Sequence, residues 1–244
     1  MIQALFWSTE RFVAYGPSHL MVLAAMLAGS LALVSLGRRA PTHAVHRILP
    51  RVLGLVIVTS EIVFVAYPIP LGYFSPVWGL PLQLCDLTAL TFGTALVCDW
   101  RFGLELGYFL GLSGTLLTTL TPDLAHDAPH IEFFCFFLTH ALVSVVALYS
   151  TFGLDRRPRP GAAPRVWLAV NLYGLAAGAL NHHLHSNYLY ICRKPPVASP
   201  FDYMGPWPVY VVVLDLVLAA LLLLLTALSD RIPVTRTAGA ATNG

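Results

Sequence analysis

The sequence predicts an all-α polytopic membrane protein, a bundle of seven transmembrane helices. Hydrophobic residues make up 57% of the 244 residues and charged residues only 11%, and the mean hydropathy is +0.72. A soluble domain carries about 25% charged residues, so this chain lacks the polar side chains to cover its own surface and needs lipid as its solvent. The apolar runs are long and continuous rather than alternating, which favours helices over strands.

Seven segments have the roughly 17–25 mostly apolar residues that a spanning helix needs. They are residues 17–36, 48–67, 78–97, 102–120, 131–152, 165–184 and 207–228. We therefore expect an N-terminal outer segment at 1–16, a transmembrane domain at 17–230 and a disordered cytoplasmic tail at 231–244. Residues Met1–Trp7 are too short an apolar run for a signal peptide, so the first helix is expected to direct insertion.

The basic residues predict the orientation of the helices. Of the 14 Lys and Arg residues, 11 fall in or beside the first, third and fifth connections or after the last helix. Only Arg11, Arg193 and Lys194 fall on the other side. The positive-inside rule places the crowded side in the cytoplasm, so the N-terminus is outside and the C-terminus inside. This fits a multi-pass protein of a bacterial plasma membrane, and the net charge of +2 indicates no nucleic-acid partner.

Polar residues collect in the outer halves of the predicted helices and in the outer loops. Polar side chains within a span are costly and are candidates for function, so their gathering predicts a polar cavity open to the outer leaflet. Hydrogen bonds that merely hold the bundle together are the alternative. The cavity candidates are His19, Glu61, Gln83, Asp86, Asp123, His183, Asn187, Asp202 and Tyr203.

Cys85 is the best candidate for a nucleophile. It follows Pro81 by one helical turn, and a helix N-terminus favours the thiolate form of cysteine. His140 lies in an otherwise apolar helix at a compatible depth, so it is the natural base for this thiol. The alternative is that Cys85 packs as a small hydrophobic residue.

No metal or cofactor site is predicted. His182 and His185 share a helix face, but two ligands do not complete a zinc site, and the four cysteines form no CxxC pattern. The chain also lacks a nucleotide-binding loop, an HExxH motif and a GxSxG motif. The common ATPase and hydrolase classes are therefore disfavoured.

Several short motifs resemble those of the YwaF-like bacterial integral membrane proteins. They are Leu80–Leu87 (LPLQLCDL), Gly107–Gly114 (GYFLGLSG), Leu120–Leu124 (LTPDL), Phe133–His140 (FFCFFLTH) and Asp202–Pro208 (DYMGPWP). That family is related to an animal seven-span protein implicated in transferring acyl chains onto ether phospholipids. The resemblance implies a Cys/His acyltransferase with Cys85 and His140 as the pair and a phospholipid or its acyl chain as substrate. Gln83 and Ala141 depart from the family pattern, in which His and Gly are common.

Two other functions stay open from the sequence alone. A transporter of a small or proton-coupled solute, built as a three-plus-one-plus-three helix repeat, would use Glu61, His140 and Asp215 as a proton relay. A membrane scaffold or sensor without catalysis would need none of these groups.

Overall fold

The structure, a computed structural model, describes residues 10–40, 42–195 and 200–232. Within these ranges the fold is all-helical, with one isolated bridge between Arg11 and His126 and no strand. The first nine residues and most of the predicted tail, residues 233–244, lie outside the described ranges, but Arg231, which was predicted to belong to the disordered tail, is still helical. The helices are α1 Pro17–Arg39, α2 Leu49–Ala66, α3 Leu84–Cys98, α4 Arg101–Gly111, α5 Gly114–Leu120, α6 Ile131–Leu148, α7 Ala162–Leu184 and α8 Val209–Arg231.

Four helices are long and apolar enough to cross a membrane. They are Pro17–Arg39, Ala44–Ala66, Ile131–Gly153 and Val209–Arg231, where short π-helical turns extend α2 and α6. Their lipid-compatible character is clearest on α1 and α8, which expose leucines such as Leu27, Leu31, Leu216 and Leu223. The helix α7 is equally long but is more polar and is not among the four.

The third predicted helix begins later than its apolar run. We expected residues 78–97, but α3 begins at Leu84 and Trp78–Gln83 is not helical. Gln83 has the extended backbone of an N-cap residue, with φ −68° and ψ 155°, and its backbone N–H donates to the Asp86 carboxylate at 2.9 Å. A carboxylate that accepts from the N-cap backbone is one half of a capping box, and this interaction fixes the start of α3.

The fourth predicted helix, 102–120, is interrupted at Leu112 and Ser113. The Ser113 backbone, with φ −113° and ψ −79°, departs from helical geometry, so the segment forms the two helices α4 and α5. The Ser113 hydroxyl donates to the Phe109 carbonyl and the Thr115 hydroxyl to the Gly111 carbonyl, both at 2.7 Å. Hydroxyls that bond back to the preceding turn in this way often bend helices.

The core of the bundle is built around α6. Its inward residues Val143, Val146 and Ala147 pack in one buried cluster with Ile57 of α2 and Phe92 of α3. Helices α2 and α3 cross closely through two glycines: a Cβ added at Gly54 would lie 2.5 Å from the Gly93 carbonyl oxygen. Small residues at a helix crossing permit this close backbone approach.

Arginines from several connections collect at one end of the bundle, which we call the arginine end. Arg159 forms an ion pair with Glu105 at 2.7 Å, and Arg156 forms one with Asp99 at 3.3 Å. The hydrogen bonds that the Arg159 guanidinium donates to the Glu105 carboxylate raise the pKa of this exposed arginine. Arg38 donates to the Phe152 carbonyl at 2.9 Å, so the first and fifth connections lie at the same end.

The glycine crossing predicts a specific loss of stability. We expect Gly54→Ala to destabilise the protein by about 1–3 kcal/mol, the usual cost of overpacking, because its Cβ would also lie 2.8 Å from Leu96 Cβ. Gly174→Ala in α7 is the matched control, because its Cβ would meet nothing within 4 Å. Thermal unfolding in detergent should show a lower midpoint for Gly54→Ala only; equal midpoints would contradict the close crossing.

Candidate functional site

Cys85 is the second residue of α3 and is partly buried. Its Sγ lies 3.6 Å from Thr118 Oγ1 of α5, and the carboxyl groups of Glu61 and Asp86 are close enough to interact with it electrostatically. Helix α3 packs against α6, and the short α5 contacts both of these helices. The cysteine therefore lies where three helices meet, at the end of the bundle opposite the arginines.

The segment before Cys85 is held by α7 and by the loop that follows it. Gln83 Oε1 accepts from the Leu189 backbone N–H at 2.9 Å, and the Tyr173 hydroxyl donates to the Leu82 carbonyl at 2.8 Å. The Tyr188 hydroxyl donates to the Pro76 carbonyl at 2.7 Å. Gln83 and Asp86 thus hold the N-terminus of α3 in place.

His140 is buried in α6 with its two ring nitrogens in different surroundings. Nδ1 lies 2.7 Å from the Phe136 carbonyl oxygen, and the ring stacks on Phe136 at a centroid separation of 4.4 Å. A carbonyl oxygen can only accept, so the proton lies on Nδ1 and Nε2 keeps its lone pair. This is the tautomer that a general base requires. The hydrogen bonds of Cys85 and His140 within the described residues go to other groups and do not join the two side chains.

His19, in contrast, uses both of its ring nitrogens. Nδ1 accepts from the Tyr15 backbone N–H, and Nε2 donates to the Thr119 carbonyl, both at 2.9 Å. The side chain is fully buried and stacks near Phe137. His19 therefore joins α1 to α5 as a structural residue and has no lone pair left for a substrate.

Glu61 of α2 is buried, and its Oε1 has no hydrogen-bond partner among the described residues. It borders an otherwise apolar cavity of about 180 Å³ lined by Ile62, Val65, Ala66, Ile69, Pro81 and Leu90. A buried carboxyl without a partner is costly, so this group is a candidate for binding a ligand or for holding a proton.

The remaining predicted cavity residues lie farther out. Asn187 organises its own loop: its side-chain oxygen accepts from the backbone N–H of Arg193 at 3.1 Å. Asp123 is exposed. Burial raises the pKa of the nearby Tyr190, and the charges of Asp123 and Cys85 raise it further by smaller amounts. His183 and Asp202 are exposed as well, and Tyr203 has 94% of its surface exposed.

Two features of this end of the molecule were not predicted from the sequence. Thr118, the hydrogen-bond neighbour of Cys85, lies 33 residues away along the chain, and no local pattern links the two. His126, His130 and Glu132 form the one group of three potential metal ligands among the described residues. Their spacing, His-x₃-His-x-Glu, was a readable signal, whereas His182 and His185, the pair considered above, are exposed and are not part of such a group.

The two hydrogen bonds of His19 predict a structural effect. We expect His19→Ala to lower the free energy of unfolding by on the order of 3 kcal/mol, because it leaves a buried cavity and removes the partners of a backbone N–H and a carbonyl. His183→Ala, at an exposed position, should leave stability unchanged. Thermal unfolding of the two purified variants checks this, and equal stabilities would show that His19 does not join α1 to α5.

Comparison with known proteins gives a family for the chain. No curated protein and no solved structure matches it significantly. The relation to YwaF-like proteins stays a prediction. The TMEM164 family model matches residues 14–226, which include all the helices through most of α8. Together with the apolar helices, this match identifies the chain as a membrane protein that belongs to the TMEM164 family.

Proposed function

We propose that this protein transfers acyl chains between phospholipids, with Cys85 as the nucleophile and His140 as the general base. The observation that carries the proposal is the hydrogen bond from His140 Nδ1 to the Phe136 carbonyl, which leaves Nε2 as a proton acceptor. The base lies on α6, which packs against α3, and Cys85 is the second residue of α3. The Leu80–Leu87 motif, which contains this cysteine, adds support from resemblance.

The reaction has two steps that balance in protons. In the first, His140 Nε2 takes the Cys85 proton, the sulfur attacks the ester carbonyl of a phospholipid, and the departing lysophospholipid oxygen receives that proton. A thioester on Cys85 results. In the second, Nε2 takes the proton of an acceptor hydroxyl, whose oxygen attacks the thioester, and the thiol is restored by the same proton. Substrate binding must bring Sγ within about 4 Å of Nε2 or within reach of one bridging water.

An apolar groove offers space for the acyl chain. It has a volume of about 320 Å³ and lies between α1 and α8, with Met26 and Ser30 on one side and Leu225 and Leu228 on the other. Ser144 also lines it, and this residue lies one helical turn from His140. Because the helices α1 and α8 also expose apolar side chains, membrane lipids can enter the groove sideways.

The other polar residues have supporting roles in this proposal. The unpartnered oxygen of Glu61 suits a cationic lipid headgroup amine, and Tyr190 lies close enough to Asp123 and Cys85 to interact with them electrostatically. His19, Gln83, Asp86 and Asn187 hold the framework. The exposed positions of His183, Asp202 and Tyr203 favour contact with headgroups at the membrane surface rather than with the reacting atoms.

The proposed topology has seven spans, with the N-terminus outside and the C-terminus in the cytoplasm of a bacterial cell. In addition to the four long apolar helices, α3, the bent pair α4–α5 and α7 would cross the membrane. The arginine end supports this orientation, since arginines of the first and fifth connections meet there and basic loops stay in the cytoplasm. The site around Cys85 then opens toward the outer leaflet.

Proton-coupled transport is a second candidate, supported by Glu61. A buried carboxyl without a hydrogen-bond partner is typical of proton relays within membranes. Asp215, in contrast, accepts from Asn171 at 2.9 Å and is already paired. Solute uptake by proteoliposomes that Glu61→Gln abolishes, without acyl transfer, would favour this function.

The acyltransferase proposal predicts how two variants behave. Purified protein with a labelled phospholipid donor and a lysophospholipid acceptor should transfer the labelled chain. We expect Cys85→Ala to abolish transfer, and His140→Gln to slow it by about 10²–10⁴-fold, the usual contribution of a general base. Cys98→Ser, at an exposed position on the same helix, is the control and should transfer normally. Full activity in both site variants would rule out the Cys/His mechanism.

The topology predicts the labelling of two native cysteines. Cys98 and Cys192 are both exposed, but the proposed orientation places Cys98 in the cytoplasm and Cys192 outside. A membrane-impermeant maleimide added to intact spheroplasts should label Cys192 alone, and lysis should add Cys98. Single-cysteine variants identify each band, and labelling of Cys98 before lysis would overturn the orientation.

A further inference from the structure

We propose that His126, His130 and Glu132 form a binding site for a divalent transition metal of the zinc class. Glu132 Oε2 lies 2.6 Å from His126 Nδ1 and 3.8 Å from His130 Nδ1. Potential ligand atoms of the three residues all lie within 4.8 Å of one another. The cluster is formed by the loop before α6 and the first turn of that helix, apart from the pair of residues proposed for acyl transfer.

The spacing of these atoms fits a tetrahedral ion. With zinc–nitrogen and zinc–oxygen distances near 2.0–2.2 Å, ligand atoms around one ion lie about 3.3 Å apart. The separations of 2.6 and 3.8 Å from the Glu132 oxygen to the two histidine nitrogens bracket that value, so each of these two pairs would have to change by less than 1 Å. Two histidines and one carboxylate are a typical ligand set for zinc with a fourth position left open to water or a ligand.

The loop that carries the histidines is held from both sides. The Asp127 carboxylate accepts from the Ser18 hydroxyl of α1 at 2.8 Å and from the Ala128 backbone N–H at 2.7 Å. The Asp127 backbone N–H donates to the Glu10 carbonyl at 2.9 Å, and the backbones of Arg11 and His126 pair in an isolated antiparallel β-bridge. Ligands on a loop fixed by these bonds lose little freedom when an ion binds.

The three side chains also allow an ion to enter. His126 is 41% exposed and Glu132 is 20% exposed, whereas His130 is 9% exposed, so the ion would reach the first two before the buried third. At present His126 Nδ1 donates to Glu132, and His130 Nδ1 accepts from the Glu132 backbone N–H at 3.2 Å. Metal binding at His126 displaces the proton on its Nδ1. Metal binding at His130 breaks the longer of the two hydrogen bonds, the one from the Glu132 backbone N–H.

Cobalt binding to the full chain tests the site directly. The protein, purified in detergent with an affinity tag free of histidine, is titrated with Co²⁺ and followed by its visible absorption, and Zn²⁺ is then added in competition. We expect wild type to bind one ion, which Zn²⁺ displaces. His126→Ala and Glu132→Gln should each weaken Co²⁺ binding by at least about tenfold.

His43→Ala is the matched control, because it removes an exposed imidazole from the connection between α1 and α2, and it should bind Co²⁺ as wild type does. Glu132→Gln preserves the shape of the side chain, so it decides the question if His126→Ala proves unstable in gel filtration. A wild type that binds no Co²⁺, or a Glu132→Gln variant that binds as tightly as wild type, overturns the proposal.

Discussion

The bend between α4 and α5 is the constraint on which the candidate site depends. The backbone turns at Leu112 and Ser113, and the Ser144 hydroxyl of α6 donates to the Gly111 carbonyl at 2.8 Å just before the turn. After it, three threonines of α5 reach three different helices: Thr115 lies 3.3 Å from Ser144 of α6, Thr118 contacts Cys85 of α3, and the Thr119 carbonyl accepts from His19 of α1. The short helix thus fixes the relative positions of the groups around the cysteine.

Two buried histidines on neighbouring helices differ in what their hydrogen bonds leave available. Both ring nitrogens of His19 form hydrogen bonds, one with a backbone donor and one with a backbone acceptor. Its side chain therefore serves to hold α1 to α5. His140 bonds a carbonyl through Nδ1 alone, so Nε2 is available to accept a proton. The same residue type therefore stabilises the fold in one place and suits catalysis in the other.

Hydropathy predicted the all-helical fold and the approximate positions of α1, α2, α6 and α8, because long apolar runs have few other stable arrangements in lipid. It could not predict the late start of α3, which depends on the bond between Gln83 and Asp86, or the bend at Ser113, which depends on local hydroxyls. Part of the site was also beyond the sequence. Thr118 contacts Cys85 only because α5 packs beside α3. The structural role of His19 could not be predicted either, because its partner, the Thr119 carbonyl, lies 100 residues away along the chain.

The central claim is that Cys85 carries an acyl chain during the reaction. Its most direct test is mass spectrometry of wild-type protein after incubation with phospholipid that contains a defined acyl chain. We predict a peptide containing Cys85 that is heavier by that acyl group. Neutral hydroxylamine should return this peptide to its original mass, because it cleaves thioesters. Transfer of the chain without any such adduct on Cys85, or an adduct located on another residue, would contradict the account.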